Sequence, residues 1–88
     1  MLDSFSGAVA AEVRARRARL GLTQQELADM AGVSERFVRF VEQGKPSVQL
    51  DSLTAILETL GLELRLSTRT SRAAHALTGQ TGDQEAPR

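Results

Sequence analysis

Arg36 and Arg39 lie in the first half of the segment SERFVRFVEQGKPS, residues 34–47, and each is followed directly by a phenylalanine. A guanidinium group carries five N–H donors in a planar fork, so it binds flat acceptors in pairs, such as O6 and N7 of guanine. One such paired contact contributes about 1 to 3 kcal/mol of discrimination between bases. The segment therefore indicates recognition of base edges, provided that a helix holds both arginines outward.

Other kinds of chemistry are not indicated. The single histidine, His75, has no second ligand nearby in the chain, whereas zinc needs at least three protein ligands and a general base needs a positioned partner. The sequence contains no cysteine, which excludes disulfides and thiolate metal sites. It also has no glycine-rich phosphate loop and no nucleophile elbow. We therefore expect a protein that is not an enzyme and that needs no cofactor and no metal.

Length and charge limit the class of protein further. A chain of 88 residues forms one small domain, and a core of this size rarely supplies more than about 3 to 5 kcal/mol, so a partner chain is expected. The net charge is zero, but the first segment is rich in arginine and residues 50–66 are acidic. No apolar run approaches the length of a membrane span, and the N-terminus does not resemble a signal peptide. These features predict a cytoplasmic protein that does not contact membranes.

Capping residues and apolar spacing predict four helices. A Thr-Gln-Gln-Glu sequence beginning at Thr23 has the spacing of a capping box, and Gly32 provides the turn that follows. The first helix is expected to place Val9, Val13 and Leu20 on one apolar stripe. The predicted helices cover about residues 7–20, 23–32, 34–44 and 50–60, with Ser6, Thr23 and Ser34 as N-caps of the first three and Gly61 ending the fourth.

After the fourth helix the apolar period changes to strict alternation, which predicts a β-strand. No other segment alternates in this way, and an unpaired strand edge tends to pair with another copy. We therefore predict a homodimer in which the strand pairs antiparallel with its mate. If the two-fold axis passes at Leu64, Glu63 of one chain lies opposite Arg65 of the other. The predicted dimer strand consists of Leu62, Glu63, Leu64, Arg65 and Leu66.

Residues 24–41 have the features of a DNA-binding helix-turn-helix, with small Ala28 where two helices cross and Val38 and Val41 on the packed edge of the third helix. The motifs GLTQQELADMAGVS and FVEQGKPS resemble the domain shared by lambdoid phage repressors and regulators of the xenobiotic-response-element type. The ending GKPSVQLDSLTAILETLGLELRL resembles that of HipB-like antitoxins. This resemblance implies an autorepressor that also restrains a HipA-type serine/threonine kinase toxin, with a C-terminal strand pairing across the dimer.

The helix-turn-helix arrangement predicts which residues contact double-stranded DNA, because the N-terminal half of its third helix enters the major groove. Glu35 accepts from cytosine N4 or instead orients Arg39 four residues later. The positions expected to reach base edges are Ser34, Glu35, Arg36 and Arg39. The positions expected to contact phosphate are Gln24, Gln43 and Lys45.

Two charged residues are expected to be structural. Arg17 falls on the apolar stripe of the first helix and Glu42 lies near the packed edge of the third, and the resemblance pairs the corresponding residues in a partly buried ion pair. The basic residues Arg14, Arg16 and Arg19 are interpreted as a solvated face or as phosphate contacts. Phe37 is expected to pack in the core, whereas Phe40 either touches a thymine methyl or a sugar, or covers the loop around Pro46.

The predicted architecture is all-α, with a four-helix lambda-repressor-like domain and dimer strand in residues 1–66 and a disordered tail in residues 67–88. The function that fits best is a homodimeric repressor bound to an inverted repeat, with the antitoxin role implied by the resemblance. Two alternatives stay open, a repressor without a toxin partner and a protein-interaction module with little DNA specificity.

Overall fold

The computed structural model describes residues 5–68 and Leu77, and the described part of the chain contains four helices, as the sequence predicts. None of these helices is long and apolar enough to cross a membrane. The last three lie within two residues of their predicted bounds. The helices are α1 (Phe5–Arg19), α2 (Gln24–Ala31), α3 (Glu35–Glu42) and α4 (Leu50–Leu60).

The start of α2 and the turn into α3 are determined locally. The Thr23 hydroxyl accepts a hydrogen bond from the backbone N–H of Glu26 at 3.0 Å, and the Glu26 carboxylate accepts from the backbone N–H of Thr23 at 2.8 Å. Gly32 ends α2 with φ of +75°, a conformation that is costly for residues with a Cβ atom. Ser34 then caps α3 by accepting from the N–H of Phe37. These contacts set the angle at which α3 leaves α2.

The first helix differs from its prediction at both ends. Phe5 already belongs to it, so Ser6 lies inside the helix and does not precede it as an N-cap. Phe5 is four residues before Val9, but it is 68% exposed and lies outside the packed stripe of α1. At the other end the helix stops at Arg19, and Leu20 is 46% exposed in the following turn. The prediction that Leu20 belongs to the packed stripe was therefore wrong.

One hydrophobic core joins the four helices, because α1 and α2 each pack against both α3 and α4. Val13, Val38 and Ile56 are fully buried near its centre. Phe37, predicted as a core residue, is partly buried and packs against the cluster. The buried cluster consists of Val13, Leu27, Ala28, Val38, Val41, Leu53, Ile56, Leu57 and Leu60.

The end of α4 directs the segment that follows it. Gly61 has φ of +75° and the backbone N–H of Leu62 donates to the carbonyl of Leu57 at 2.8 Å, which is the pattern of a Schellman motif. Within the single chain, residues 62–68 form neither helix nor strand. A strand that pairs with a second copy has no partner inside one chain, so the predicted strand stays a prediction. The predicted tail, apart from residues 67, 68 and 77, lies outside the described residues.

Candidate nucleic-acid interface

One face of α3 points away from the core. Val38 and Val41 are buried on the opposite side, against the other helices. The spacing of i, i+3, i+4 and i+7 places four residues on one helical face, which we call the outer face of α3. Three of them are exposed and Phe40 is partly buried. The outer face consists of Arg36, Arg39, Phe40 and Gln43.

Near its N-terminus α3 carries two polar residues that already have intrachain partners. The Ser34 hydroxyl accepts from the N–H of Phe37 at 3.0 Å, so its oxygen is used for the cap while its O–H remains a donor. Glu35 forms an ion pair with Arg39 at 3.1 Å, one turn along the helix. This geometry favours the orienting role for Glu35 over direct readout of cytosine.

A small cluster of cations surrounds the ring of Phe40. The guanidinium carbon of Arg36 lies 5.3 Å from the ring centroid, and the ammonium nitrogen of Lys45 lies 5.9 Å from it. Both distances fall within about 6 Å, the range in which cations are attracted to an aromatic face. Phe40 therefore contacts charged side chains on the surface, in addition to any contact with the loop around Pro46.

Behind α3, Glu42 accepts hydrogen bonds from two other elements. Its side chain is 4% exposed and receives bonds from Arg17 of α1 at 2.5 and 2.9 Å, which is the predicted ion pair. Gln24, the first residue of α2, donates its side-chain amide to the same carboxylate at 3.0 Å. The guanidinium of Arg17 also donates to the carbonyl of Leu22 at 2.9 Å. The carboxylate thus connects α1 and α2 to the C-terminal end of α3.

The ionisation of Glu42 is controlled by the same contacts. Burial alone would raise the pKa of its carboxyl group, but the hydrogen bonds from Arg17 and Gln24, with the positive charges of Arg17 and Arg14, outweigh burial and lower the pKa below its ordinary value. The hydrogen bond to Glu42 raises the pKa of Arg17 in turn. Both groups are therefore charged at neutral pH, and the pair is compensated within the protein.

Gln24 was predicted to contact phosphate, and the structure shows one use of its amide. One N–H is bound to Glu42, which holds the side chain at the N-terminus of α2. An amide NH₂ group has a second donor, and helix N-termini favour anionic oxygens. The contact with Glu42 is therefore compatible with a phosphate contact from the same residue.

Two arginines that were predicted to form a solvated face or to contact phosphate have structural partners. Arg14 donates from its guanidinium to the backbone carbonyl of Glu42. Arg16 donates from Nε to the carbonyl of Leu60 at 2.8 Å. These carbonyls lie at the C-terminal ends of α3 and α4, where the helix dipole favours a positive charge. The only sequence signal is that α1 ends in a basic cluster, which does not identify the helix ends that it contacts.

The predicted dimer segment lies against α1 and α4. Leu62 packs against the core, while Leu64 and Leu66 are 42% and 101% exposed. Arg65 and Glu63 form an exposed ion pair at 2.9 Å within the chain. Beside the segment is an open apolar groove of about 290 Å³. The groove is lined by Ala8, Val9, Glu12, Leu57, Leu62, Glu63 and Leu64.

Comparisons with known proteins agree with this geometry. An HTH-type transcriptional regulator of Sinorhizobium fredii strain NGR234, called y4mF and otherwise uncharacterised, is 41% identical over 56 residues, covering 64% of this chain and 74% of the relative. A chain in the structure of the HipA-HipB-O2-O3 complex superimposes with a TM-score of 0.69 at 23% identity, covering 80% of this chain and 99% of that chain.

A second solved structure, the clp gene regulator ClgR from C. glutamicum, has a TM-score of 0.61 at 26% identity and covers 94% of this chain and 100% of that chain. A family model described as helix-turn-helix matches residues 13–66, which include α2, α3, α4 and the last seven residues of α1. The chain therefore belongs to the helix-turn-helix family.

Proposed function

We propose that the protein is a homodimeric, sequence-specific DNA-binding repressor that reads its operator with the outer face of α3. The observation that carries this proposal is the division of α3 into two sides. Val38 and Val41 hold one side in the core, whereas Arg36 and Arg39 project from the other. Two outward arginines on a short helix are suited to guanine edges in the major groove.

Base readout is assigned to the N-terminal half of α3. Arg36 and Arg39 each donate a pair of hydrogen bonds to guanine, while Glu35 holds Arg39 in an ion pair until DNA is reached. The hydroxyl of Ser34 contributes one donor. Phosphate contacts come from the margins of this helix, at Gln24, Gln43 and Lys45. These contacts fix the register of the protein on DNA and weaken as salt rises.

Dimerisation is assigned to residues 62–66. With the two-fold axis at Leu64, antiparallel pairing brings Leu66 of one chain opposite Leu62 of the other. Leu62 lines the apolar groove beside α1 and α4, so the fully exposed Leu66 of a second copy finds apolar surface there. The Glu63–Arg65 pair can exchange partners across the axis. Such a dimer presents two copies of α3 to one operator, about 34 to 36 Å apart.

Selection of binding sites from random double-stranded DNA tests the repressor proposal. The wild-type protein should select an inverted repeat, with nanomolar affinity and a steep decrease in affinity as salt increases. Arg36→Ala and Arg39→Ala should each relax preference at particular base pairs, by about 1 to 3 kcal/mol per contact. Arg19→Ala, which removes an exposed charge on α1, is the control and should leave base preference unchanged.

Equal affinity of the wild-type protein for all sequences would instead favour the protein-interaction module. Unchanged base preference in both α3 variants would contradict the readout assignment even if a repeat is selected.

An antitoxin role is the finer proposal, and the sequence resemblance to HipB-like antitoxins supports it. The partner would be a HipA-like serine/threonine kinase. The exposed surface of α4 offers a site for such a partner, because Asp51 and Glu58 are exposed beside Leu50, which is 66% exposed. These residues line one shallow depression together with Thr54 and Ala55.

The gene next to this one gives the first test of the antitoxin proposal. If it encodes a kinase-like protein, the two proteins should copurify and Asp51→Lys with Glu58→Lys should weaken the complex while DNA binding persists. A neighbouring gene of unrelated type, or a kinase that does not copurify, would leave the protein as a repressor without a toxin partner.

A further inference from the structure

Phe40 has an unusual position for a large aromatic residue in a small domain. It lies on the outer face of α3, and it is not part of the apolar cluster in which Phe37 takes part. Its ring is flanked by the guanidinium of Arg36 at 5.3 Å and by the ammonium of Lys45 at 5.9 Å. A single ring thus contacts one residue assigned to base readout and one assigned to phosphate.

Local structure brings both cations to the ring. Arg36 precedes Phe40 by four residues, so the two side chains meet on one face of the helix. Lys45 arrives through the turn that ends α3, where Gly44 has φ of +74°. In that turn the N–H of Lys45 donates to the carbonyl of Phe40 at 3.2 Å, and the N–H of Gly44 donates to that of Val41 at 3.0 Å. This Schellman motif fixes the backbone of Lys45 next to the ring.

We propose that Phe40 is a positioning residue for DNA recognition, whose ring orders Arg36 and Lys45 before DNA is bound. The inference rests on the proposed function and deepens it. Arginine and lysine lose much side-chain freedom when they bind, and a cation already held on a ring loses less on reaching DNA. Stacking on the ring face leaves the N–H groups at the edge of the guanidinium available for a paired contact. Phe40 would then act on specificity without touching a base.

Two variants of Phe40 distinguish the effect of its aromatic ring on DNA binding from the effect of its apolar volume. Phe40→Leu keeps an apolar side chain but removes the aromatic face, whereas Phe40→Tyr keeps the face. On the DNA site selected by the wild-type protein, Phe40→Leu should weaken binding about 2- to 5-fold for each lost cation–ring contact, which is the effect expected at exposed sites. Phe40→Tyr should bind as the wild type does.

The coupling between the effects of Phe40→Leu and Arg36→Ala on DNA binding is the more specific readout, because a purely structural role of Phe40 would not produce such coupling. The fold-loss caused by Arg36→Ala should be smaller in the Phe40→Leu background than in the wild type, since the arginine is then already less ordered. Arg39→Ala, whose ion pair is with Glu35, should cost the same in both backgrounds. Equal effects of Arg36→Ala in both backgrounds, or wild-type binding by Phe40→Leu, would overturn the proposal.

Folding and DNA binding are checked separately. Thermal unfolding should show that Phe40→Leu folds, and Phe40→Met replaces it if it does not. In the DNA-free wild-type protein, NMR should detect ring-current shifts of the Arg36 δ and Lys45 ε protons. These shifts should disappear in the Phe40 variant that is used. Random-coil chemical shifts of these protons in the wild type would overturn the proposal. If the wild type selects no DNA sequence at all, the proposed function fails, whereas selection with unshifted protons contradicts the role of Phe40 alone.

Discussion

Removal of the Glu42 carboxylate should cost much of the stability of this domain. Its side chain is 4% exposed and accepts hydrogen bonds from Arg17 and Gln24. Glu42→Ala therefore leaves Arg17, whose side chain is only 20% exposed, without its anion. Breaking a buried pair in this way costs about 3 to 5 kcal/mol, and we expect about 3 because Arg17 still reaches solvent and keeps its bond to Leu22.

Thermal unfolding followed by circular dichroism measures this loss. In a domain of this size 1 kcal/mol corresponds to about 4 to 8 °C, so the melting temperature should fall by about 12 to 24 °C. Glu58→Ala removes an exposed glutamate from α4 and should change stability by no more than about 0.5 kcal/mol. The double variant with Arg17→Ala should lose less than the sum of the two single losses. An unchanged melting temperature, or strictly additive losses, would refute the pairing.

Three further predictions concern acid stability, the α2 cap and the dimer. Because the pKa of Glu42 is lowered on folding, this residue contributes to the free energy of unfolding above the ordinary glutamate pKa of about 4.3, and the contribution is lost as the pH falls below that value. In urea titrations from pH 7 to pH 3, Glu42→Ala should therefore lose less stability than the wild type. Equal losses of stability would contradict the assignment. Thr23→Ala removes a capping bond and should cost about 1 kcal/mol in urea unfolding, a prediction that fails if the midpoint is unchanged. Leu66→Asp should raise the dimer dissociation constant at least about tenfold in sedimentation equilibrium. Leu20→Asp is the control and should not raise it. A monomeric wild type would exclude the proposed strand pairing.

Much of this fold was predictable because its boundaries are encoded locally. The capping box of Thr23 and the glycines at 32 and 61 predict their helix ends from neighbouring residues alone. The ion pair of Arg17 with Glu42 is also present; helical phase predicted that both residues lie near the core, and the family resemblance implied their pairing. The role of Ser6 was less predictable, because a serine that favours an N-cap position can also lie inside a helix, as it does in α1.

Contacts between distant helix ends could not be read from the sequence. Arg14 and Arg16 bind carbonyls 28 and 44 residues away, and these distances are bridged only by the packing of α1 on α3 and α4. The partners of Phe40 were missed for a related reason. Lys45 reaches the ring through the turn at Gly44, and helical phase does not extend beyond the end of a helix.

Methylation interference is the most direct test of the claim that α3 reads DNA in the major groove. Methyl groups at N7 of guanine block the acceptor that Arg36 and Arg39 are expected to use. We predict two groups of interfering guanines on one face of the selected site, about ten base pairs apart. Replacement of Arg36 or Arg39 by alanine should abolish interference at matching positions in each half-site. Specific binding without guanine interference, or an identical pattern in both variants, would contradict it.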